Sequence, residues 1–150
     1  MTLLATPAAE SSMTFADTTV DIATDDDIVA ARRSGRTLVS QLGFSTTEAT
    51  LVATAVSELA RNIVLYATRG EIVMRPLDEC GRKGILVIAR DQGPGIPDLQ
   101  RALRGGYSTR GGKGMGLSGT SRLVDEFEIA SASGSGTTVA VKMWSRTTRS

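Results

Sequence analysis

The spacing of apolar residues changes period along the chain, and each change marks a new element. From Thr18 to Ala23 apolar and polar residues alternate loosely, the pattern of a strand. Asp25, Asp26 and Asp27 then offer a helix N-cap and an acidic first turn, which suits the positive end of a helix dipole. Ile28, Val29, Leu38, Val39 and Leu42 supply the apolar positions of this first helix, and Gly43 stops it. Ser45-Thr46-Thr47-Glu48 is a capping-box pattern. It opens a second, longer helix expected to reach about Ala67, with Gly70 as its stop. At about 100° per residue, Leu51, Ala55, Leu59, Ile63 and Tyr66 share one face of that helix.

After Gly70 the period shortens to two. Glu71 to Pro76 predicts a strand, Asp78 to Gly84 a turn, and Ile85 to Ala89 a continuous apolar strand buried on both faces or nearly so. Asp98 to Gly114 is polar and rich in Gly and Arg, with room for one short helix at most. Leu117 to Val124 predicts a helix, and Phe127 to Ala130 and Thr137 to Trp144 a hairpin across a Ser/Gly turn. A helix pair followed by strands with one helix between them predicts an α+β fold: a single mixed β-sheet covered on one face by helices. One domain is expected over residues 15–146, after a flexible arm at 1–14 and before a short tail at 147–150.

Composition narrows the picture mainly by exclusion. At 41% hydrophobic and 22% charged, the 150 residues can bury a core as one domain. A net charge of +1 gives no field to hold nucleic acid or an anionic membrane. There is no apolar run long enough to span a bilayer, and no Lys or Arg precedes the apolar patch in residues 1–12, so a cytoplasmic location is expected. The sequence contains no histidine, which excludes Ser-His-Asp and Cys-His catalysis and phosphohistidine transfer. The general base of an enzyme built from this chain is expected to be a carboxylate. The single cysteine, Cys80, lies in the expected turn and reads as an incidental thiol.

Three places carry candidate chemistry. On the second helix, Glu58 and Asn62 are four residues apart and therefore neighbours, inside or beside the apolar arc, where polar groups are costly unless something needs them. After the apolar strand comes Asp91-Gln92-Gly93-Pro94-Gly95-Ile96. Its carboxylate is oriented by the sheet, and Gly93 and Gly95 let backbone approach a ligand closely. Third, Gly111-Gly112-Lys113-Gly114-Met115-Gly116-Leu117 leads into a helix and offers backbone N–H groups to phosphate. Gly114 to Gly119 also fits G-x-G-x-x-G, but no strand precedes it, and Lys113 is followed by Gly114, not by the Ser or Thr of a Walker loop.

The order E-x-x-x-N, D-x-G-x-G, G-x-G-x-G-L and a late Gly136-Thr137 resembles the motif series of the GHKL ATPase superfamily, from about residue 18 to 144. Ser57-Glu58-Leu59-Ala60-Arg61-Asn62, Gly106-Tyr107-Ser108-Thr109, Arg122-Leu123-Val124-Asp125-Glu126-Phe127 and Lys142-Met143-Trp144 are similar to its anti-sigma-factor and serine-kinase branch, above all to the stressosome switch kinases (RsbT type). The lid string, with Lys113 and Met115, departs slightly.

The resemblance implies ATP and Mg²⁺ as ligands. It puts Asn62 on the metal, Glu58 in the role of base for the attacking oxygen, and Asp91 on the adenine amino group. Gly95 would make room for the ring, with Gly93 and Ile96 also at the nucleotide, and Thr137 would support the Asp91 water cluster. Residues 98–113 would be a mobile lid, with Ser108, Thr109, Gly112 and Lys113 at the nucleotide, and Gly114, Met115, Gly116 and Leu117 would lead N–H groups to the phosphates. The activity implied is serine/threonine phosphorylation of a STAS-domain substrate, followed by binding of a PPM-type phosphatase; the alternatives are an anti-sigma factor that binds a sigma factor, or a non-enzymatic ATP-binding partner-switch module. Arg32, Arg33 and Arg36 on the first helix form a basic face suited to such a partner.

Overall fold

The computed structural model describes residues 17–93, 116–132, 134 and 136–146. In chain order these form β1 (Thr18–Ile22), α1 (Asp25–Gln41), α2 (Thr46–Tyr66), β2 (Gly70–Glu79), β3 (Arg82–Asp91), α3 (Gly116–Leu123), β4 (Glu126–Ala132) and β5 (Gly136–Trp144). The arm, the tail and the lid expected from sequence lie outside the described residues.

Both long helices begin where a side chain satisfies their first free N–H groups. The cap of α1 is Thr24, not one of the three aspartates. Asp27 is the third helical residue, and its carboxylate returns to the Thr24 N–H, closing a reciprocal box. Ser45 and Glu48 form the expected box on α2. That helix ends at Tyr66 with Ala67 as its cap, followed by Thr68 at φ 76°. Gly70 is therefore not the helix stop but the first residue of β2.

The strands form one sheet in the order β1-β2-β3-β5-β4, and every hydrogen-bonded pair is antiparallel. The α+β class and the single helix-covered sheet hold; the sheet is antiparallel and not mixed. The reason is topological. The crossover through α3 makes β4 run in the same direction as β3, but β5 returns between them and separates the one pair that could have been parallel. β2 and β3 are each ten residues long and joined by two residues, Cys80 (φ 56°) and Gly81 (φ 88°). Positive φ at both central positions matches the right-handed twist of the strands and tightens the long turn expected there.

One face of the sheet carries the core. Ile72 and Met74 on β2, Ile85, Val87 and Ala89 on β3, and Val139, Val141 and Met143 on β5 are buried beneath Val52, Val56, Leu59 and Ile63 of α2 and Ile28, Leu38 and Val39 of α1. On the opposite face Leu86 and Ile88 remain partly exposed, so β3 is buried on one face and not on both. The two helices approach closely at Gly35, where an added Cβ would lie 3.3 Å from Val56 and 3.4 Å from Met74. The inward face of α2 is centred further round than the wheel suggests. Ala53, Val56 and Ala60 are buried, whereas Leu51 is 40% exposed.

A clasp ties the end of β5 to the start of α2. The Glu48 carboxylate accepts from the Ser45 N–H (2.9 Å), the Ser145 hydroxyl (3.0 Å) and the Arg146 N–H (2.6 Å). Asp125 accepts from the Trp144 N–H and pairs with Arg146 at 2.7 Å. Burial pushes the Asp125 carboxyl up, but the Arg146 guanidinium and the Trp144 N–H outweigh it and hold the group below its ordinary value. A depressed folded pKa contributes stability that is present above the unfolded value of about 3.9 and is lost as pH falls through the folded value. Asp125→Asn is therefore expected to lower Tm by a few degrees at neutral pH, with the deficit shrinking as pH drops below 4. Thermal melts of both proteins across pH 3 to 7 measure this directly.

Candidate functional site

The two-residue period that buries Ile85, Val87 and Ala89 places Asp91 next in the same row, at the end of the strand where the core gives out. It stands between Gly70 of β2 and Thr137 of β5. Its Oδ1 accepts hydrogen bonds from the backbone N–H groups of Gly93 (2.8 Å) and Thr137 (3.2 Å). Oδ2 accepts none among the described residues. One oxygen thus fixes the carboxylate and the other stays free to accept from a ligand. The Thr137 hydroxyl is engaged with Ser131 Oγ at 2.9 Å, and Ser131 also donates to the Gly136 carbonyl at 3.2 Å.

Three glycines let backbone close in around this carboxylate. A Cβ at Gly136, which sits at φ 83°, would overlap the Asp91 carbonyl oxygen. One at Gly70 would overlap the Arg90 carbonyl and lie 3.0 Å from the Asp91 Cβ. One at Gly93 would stand 2.6 Å from the Cβ of Ala67, the C-cap of α2. That last contact joins the segment after Asp91 to the end of the helix carrying the other two candidates.

Glu58 and Asn62 sit one turn apart at the margin of the buried arc of α2, both half-buried. Asn62 is five residues, or about 7–8 Å along the axis, from the Ala67–Gly93 contact. Its Nδ2 is fully shielded and has no hydrogen-bond partner among the described residues. Leaving such a group unmatched costs about 1–3 kcal/mol; the Trp144 Nε1 is the other buried side-chain atom without a partner among the described residues. A flip of the terminal amide puts its oxygen at the same point. Glu58 likewise has no hydrogen-bond or ion-pair partner among the described residues. No three Asp, Glu, Cys or His groups converge there as metal ligands among the described residues. A hard cation at the Asn62 oxygen would therefore draw most of its oxygens from a bound ligand and water, as Mg²⁺ commonly does. The residues present fit a magnesium–nucleotide pair on these grounds: an orphaned amide, a half-free carboxylate, and a close-packed glycine cradle.

The structure thus brings Asp91, Gly93 and Thr137 together beside Ala67, the cap of α2, with Asn62 and Glu58 five and nine residues back along that helix. Gly116 and Leu117 open α3, which packs against α2. Gly95, Ile96, Ser108, Thr109, Gly112, Lys113, Gly114 and Met115 lie outside the described residues. Two site residues escaped the sequence reading. Gly70 looked like a helix stop, because a glycine after a helix carries the same signal whichever role it plays. Ser131 reaches Thr137 only through the register of β4 on β5, for which the sequence has no local signal.

Residues 22–143 match the family described as Histidine kinase-like ATPase domain. The chain belongs to this family. Serine/threonine-protein kinase RsbT of Bacillus subtilis (strain 168) is 49% identical over 127 residues, covering 85% of this chain and 96% of that protein. Anti-sigma F factors are more distant. That of Clostridium novyi (strain NT) is 32% identical over 117 residues, 75% of this chain and 82% of its own. That of Geobacillus stearothermophilus is 31% identical over 119 residues, 75% of this chain and 80% of its own. The antiparallel five-stranded sheet with helices on one face is consistent with the ATPase-domain fold of this family.

The cradle can be tested without a ligand. Gly134 and Gly136 both have positive φ, but a Cβ at Gly134 would meet open space. Gly134→Ala is expected to cost only backbone strain, about 1–2 kcal/mol. Gly136→Ala adds a clash with the Asp91 backbone and is expected to cost roughly 2–4 kcal/mol. Chemical denaturation of the pair gives the difference that belongs to close approach.

Proposed function

We propose that this chain is a Mg-ATP-dependent serine/threonine-protein kinase of bacterial partner switching. Its substrate is a hydroxyl on a STAS-domain antagonist, and after transfer it binds and activates a PPM-type phosphatase. The observation that carries this reading is the 49% identity to a protein named as a serine/threonine kinase across nearly all of that protein's length. The site adds support from its own chemistry. Asp91 offers Oδ2 to the adenine amino group, while Gly93 and Thr137 hold the carboxylate still. The Asn62 carbonyl oxygen suits a hard cation, and bound Mg²⁺ supplies charge neutralisation on the phosphates. Backbone donors at the start of α3 suit phosphate oxygens.

Transfer then needs positioning more than covalent help. The acceptor Ser or Thr oxygen attacks the γ-phosphorus of ATP, and a new O–P bond forms as the bond to ADP breaks. Glu58, one turn from Asn62 and without a protein partner among the described residues, takes the hydroxyl proton. That no described helix is long and apolar enough to cross a membrane agrees with work in the cytoplasm. A second reading, an anti-sigma factor that binds a sigma subunit, rests on the anti-sigma F relatives. It shares the pocket, so a pull-down against purified sigma subunits separates the two.

Asp91→Asn turns an acceptor oxygen into a donor that would face the adenine amino group. Such a mismatch costs about 1–3 kcal/mol, or roughly tenfold to a hundredfold in ATP affinity. Calorimetry on Asp91→Asn and Asn62→Ala is expected to show that loss, and normal affinity in both would remove the pocket assignment. Glu58→Gln is expected to keep ATP affinity within a few fold and to slow phosphorylation of a STAS-domain acceptor by about 10²–10⁴. Transfer of labelled phosphate with unchanged turnover in that variant would mean that another group takes the proton.

A further inference from the structure

The exposed side of α2 carries a feature that nucleotide binding does not use. Leu51 is the one large apolar side chain exposed among the described residues. It lies seven residues before Glu58 and hence on the same stripe of the helix, about 10 Å away along the axis. Around Leu51 the surface is less polar than its composition suggests. Thr54 Oγ1 donates to the Thr50 carbonyl at 2.9 Å, and Thr50 Oγ1 donates to the Thr46 carbonyl at 3.0 Å. Both hydroxyls donate within the helix, so a partner that covers them leaves neither donor unmatched. Cations flank this track. Arg36 of α1 reaches Thr50 at 3.4 Å, and Arg61, three residues beyond Glu58, is exposed with no ion-pair partner among the described residues.

An exposed apolar side chain in line with a carboxylate that has no partner among the described residues is what a protein acceptor needs. The hydroxyl must arrive at Glu58 while the rest of the acceptor gains its binding free energy elsewhere. Resting on the kinase reading above, we infer that Leu51, flanked by Thr50 and Thr54, is a docking point for the protein acceptor and sets which acceptor is phosphorylated. The occupant is a surface of the acceptor that presents an apolar side chain about 10 Å from its reactive Ser or Thr, with acidic groups beside it for Arg36 and Arg61. Spacing provides the selectivity: an acceptor with the apolar group at another distance cannot fill the Leu51 contact and reach Glu58 together.

The experiment is steady-state phosphorylation of a purified STAS-domain acceptor by the full chain, with Leu51→Asp and Leu51→Ala compared with the parent. Both substitutions are on an exposed helix face, and matching thermal melts establish that they fold. The acceptor KM is expected to rise about tenfold or more in Leu51→Asp, as for loss of an interface anchor, and by less in Leu51→Ala. ATP affinity and kcat at saturating acceptor should stay at parental values. An unchanged acceptor KM in both variants overturns the docking inference and leaves the kinase reading intact. An equal fall in turnover on a short, unrelated Ser/Thr peptide also overturns it, since that marks general damage to the site. A parent protein that transfers no phosphate to the acceptor removes the kinase reading itself, and the docking inference with it.

Discussion

Burial of α2 against the sheet is the constraint on which the rest depends. Val52, Val56, Leu59 and Ile63 can leave water only by lying on the row formed by Ile72, Met74, Val87 and their neighbours. Burying four such side chains contributes roughly 6–12 kcal/mol, so the rotation of the helix about its axis is not negotiable. Glu58 and Asn62 ride on the margin of the same arc. Their direction is therefore set by the hydrophobic core and not by any contact of their own, which is why Glu58 and the Asn62 Nδ2 can remain without protein partners among the described residues.

The sheet imposes a matching constraint from the other side. Asp91 continues the buried row of β3 one step past Ala89, so its carboxylate emerges where the apolar floor ends. Gly70, Gly93 and Gly136 remove the side chains that would otherwise hold backbone away from it. The result is a carboxylate clamped through Oδ1 and, among the described residues, without a donor at Oδ2. Clamping removes rotamer freedom before any ligand arrives, which lowers the ordering cost of binding.

The same helix presents two surfaces with different tasks. Its inner margin carries Asn62, assigned above to the nucleotide, and its outer stripe runs from Leu51 to Glu58, proposed above to meet the acceptor. Glu58 lies on both, which suits the role proposed for it between a nucleotide and a protein acceptor. The clasp of Glu48 with Ser145 and Arg146 holds the start of α2 to the end of β5, and the Gly93–Ala67 contact holds its end to β3. The helix is thus fixed to the sheet at both ends.

Much of this was legible in the sequence because it is written locally. The capping box at Ser45 to Glu48, the apolar run in β3 and the Ser/Gly turn before Thr137 each depend on a few neighbouring residues. So does the pairing of Glu58 with Asn62. These signals determined the element types, the α+β class and the candidate site residues. What tertiary structure decided were relations between distant residues. Periodicity put Leu51 on the inward face of α2, but the position of α1 and the sheet turned that face towards Val56 and Ala60. The continuous apolar run Ile85 to Ala89 suggested two buried faces, yet nothing among the described elements stacks as a second layer on the outer side of the sheet. The insertion of β5 between β3 and β4 made the sheet wholly antiparallel, and strand register alone brought Ser131 to Thr137 and Gly70 to Asp91. Local sequence sets what each segment prefers, but which faces meet is a competition among all of them for one core, and that competition is resolved only when the whole chain packs.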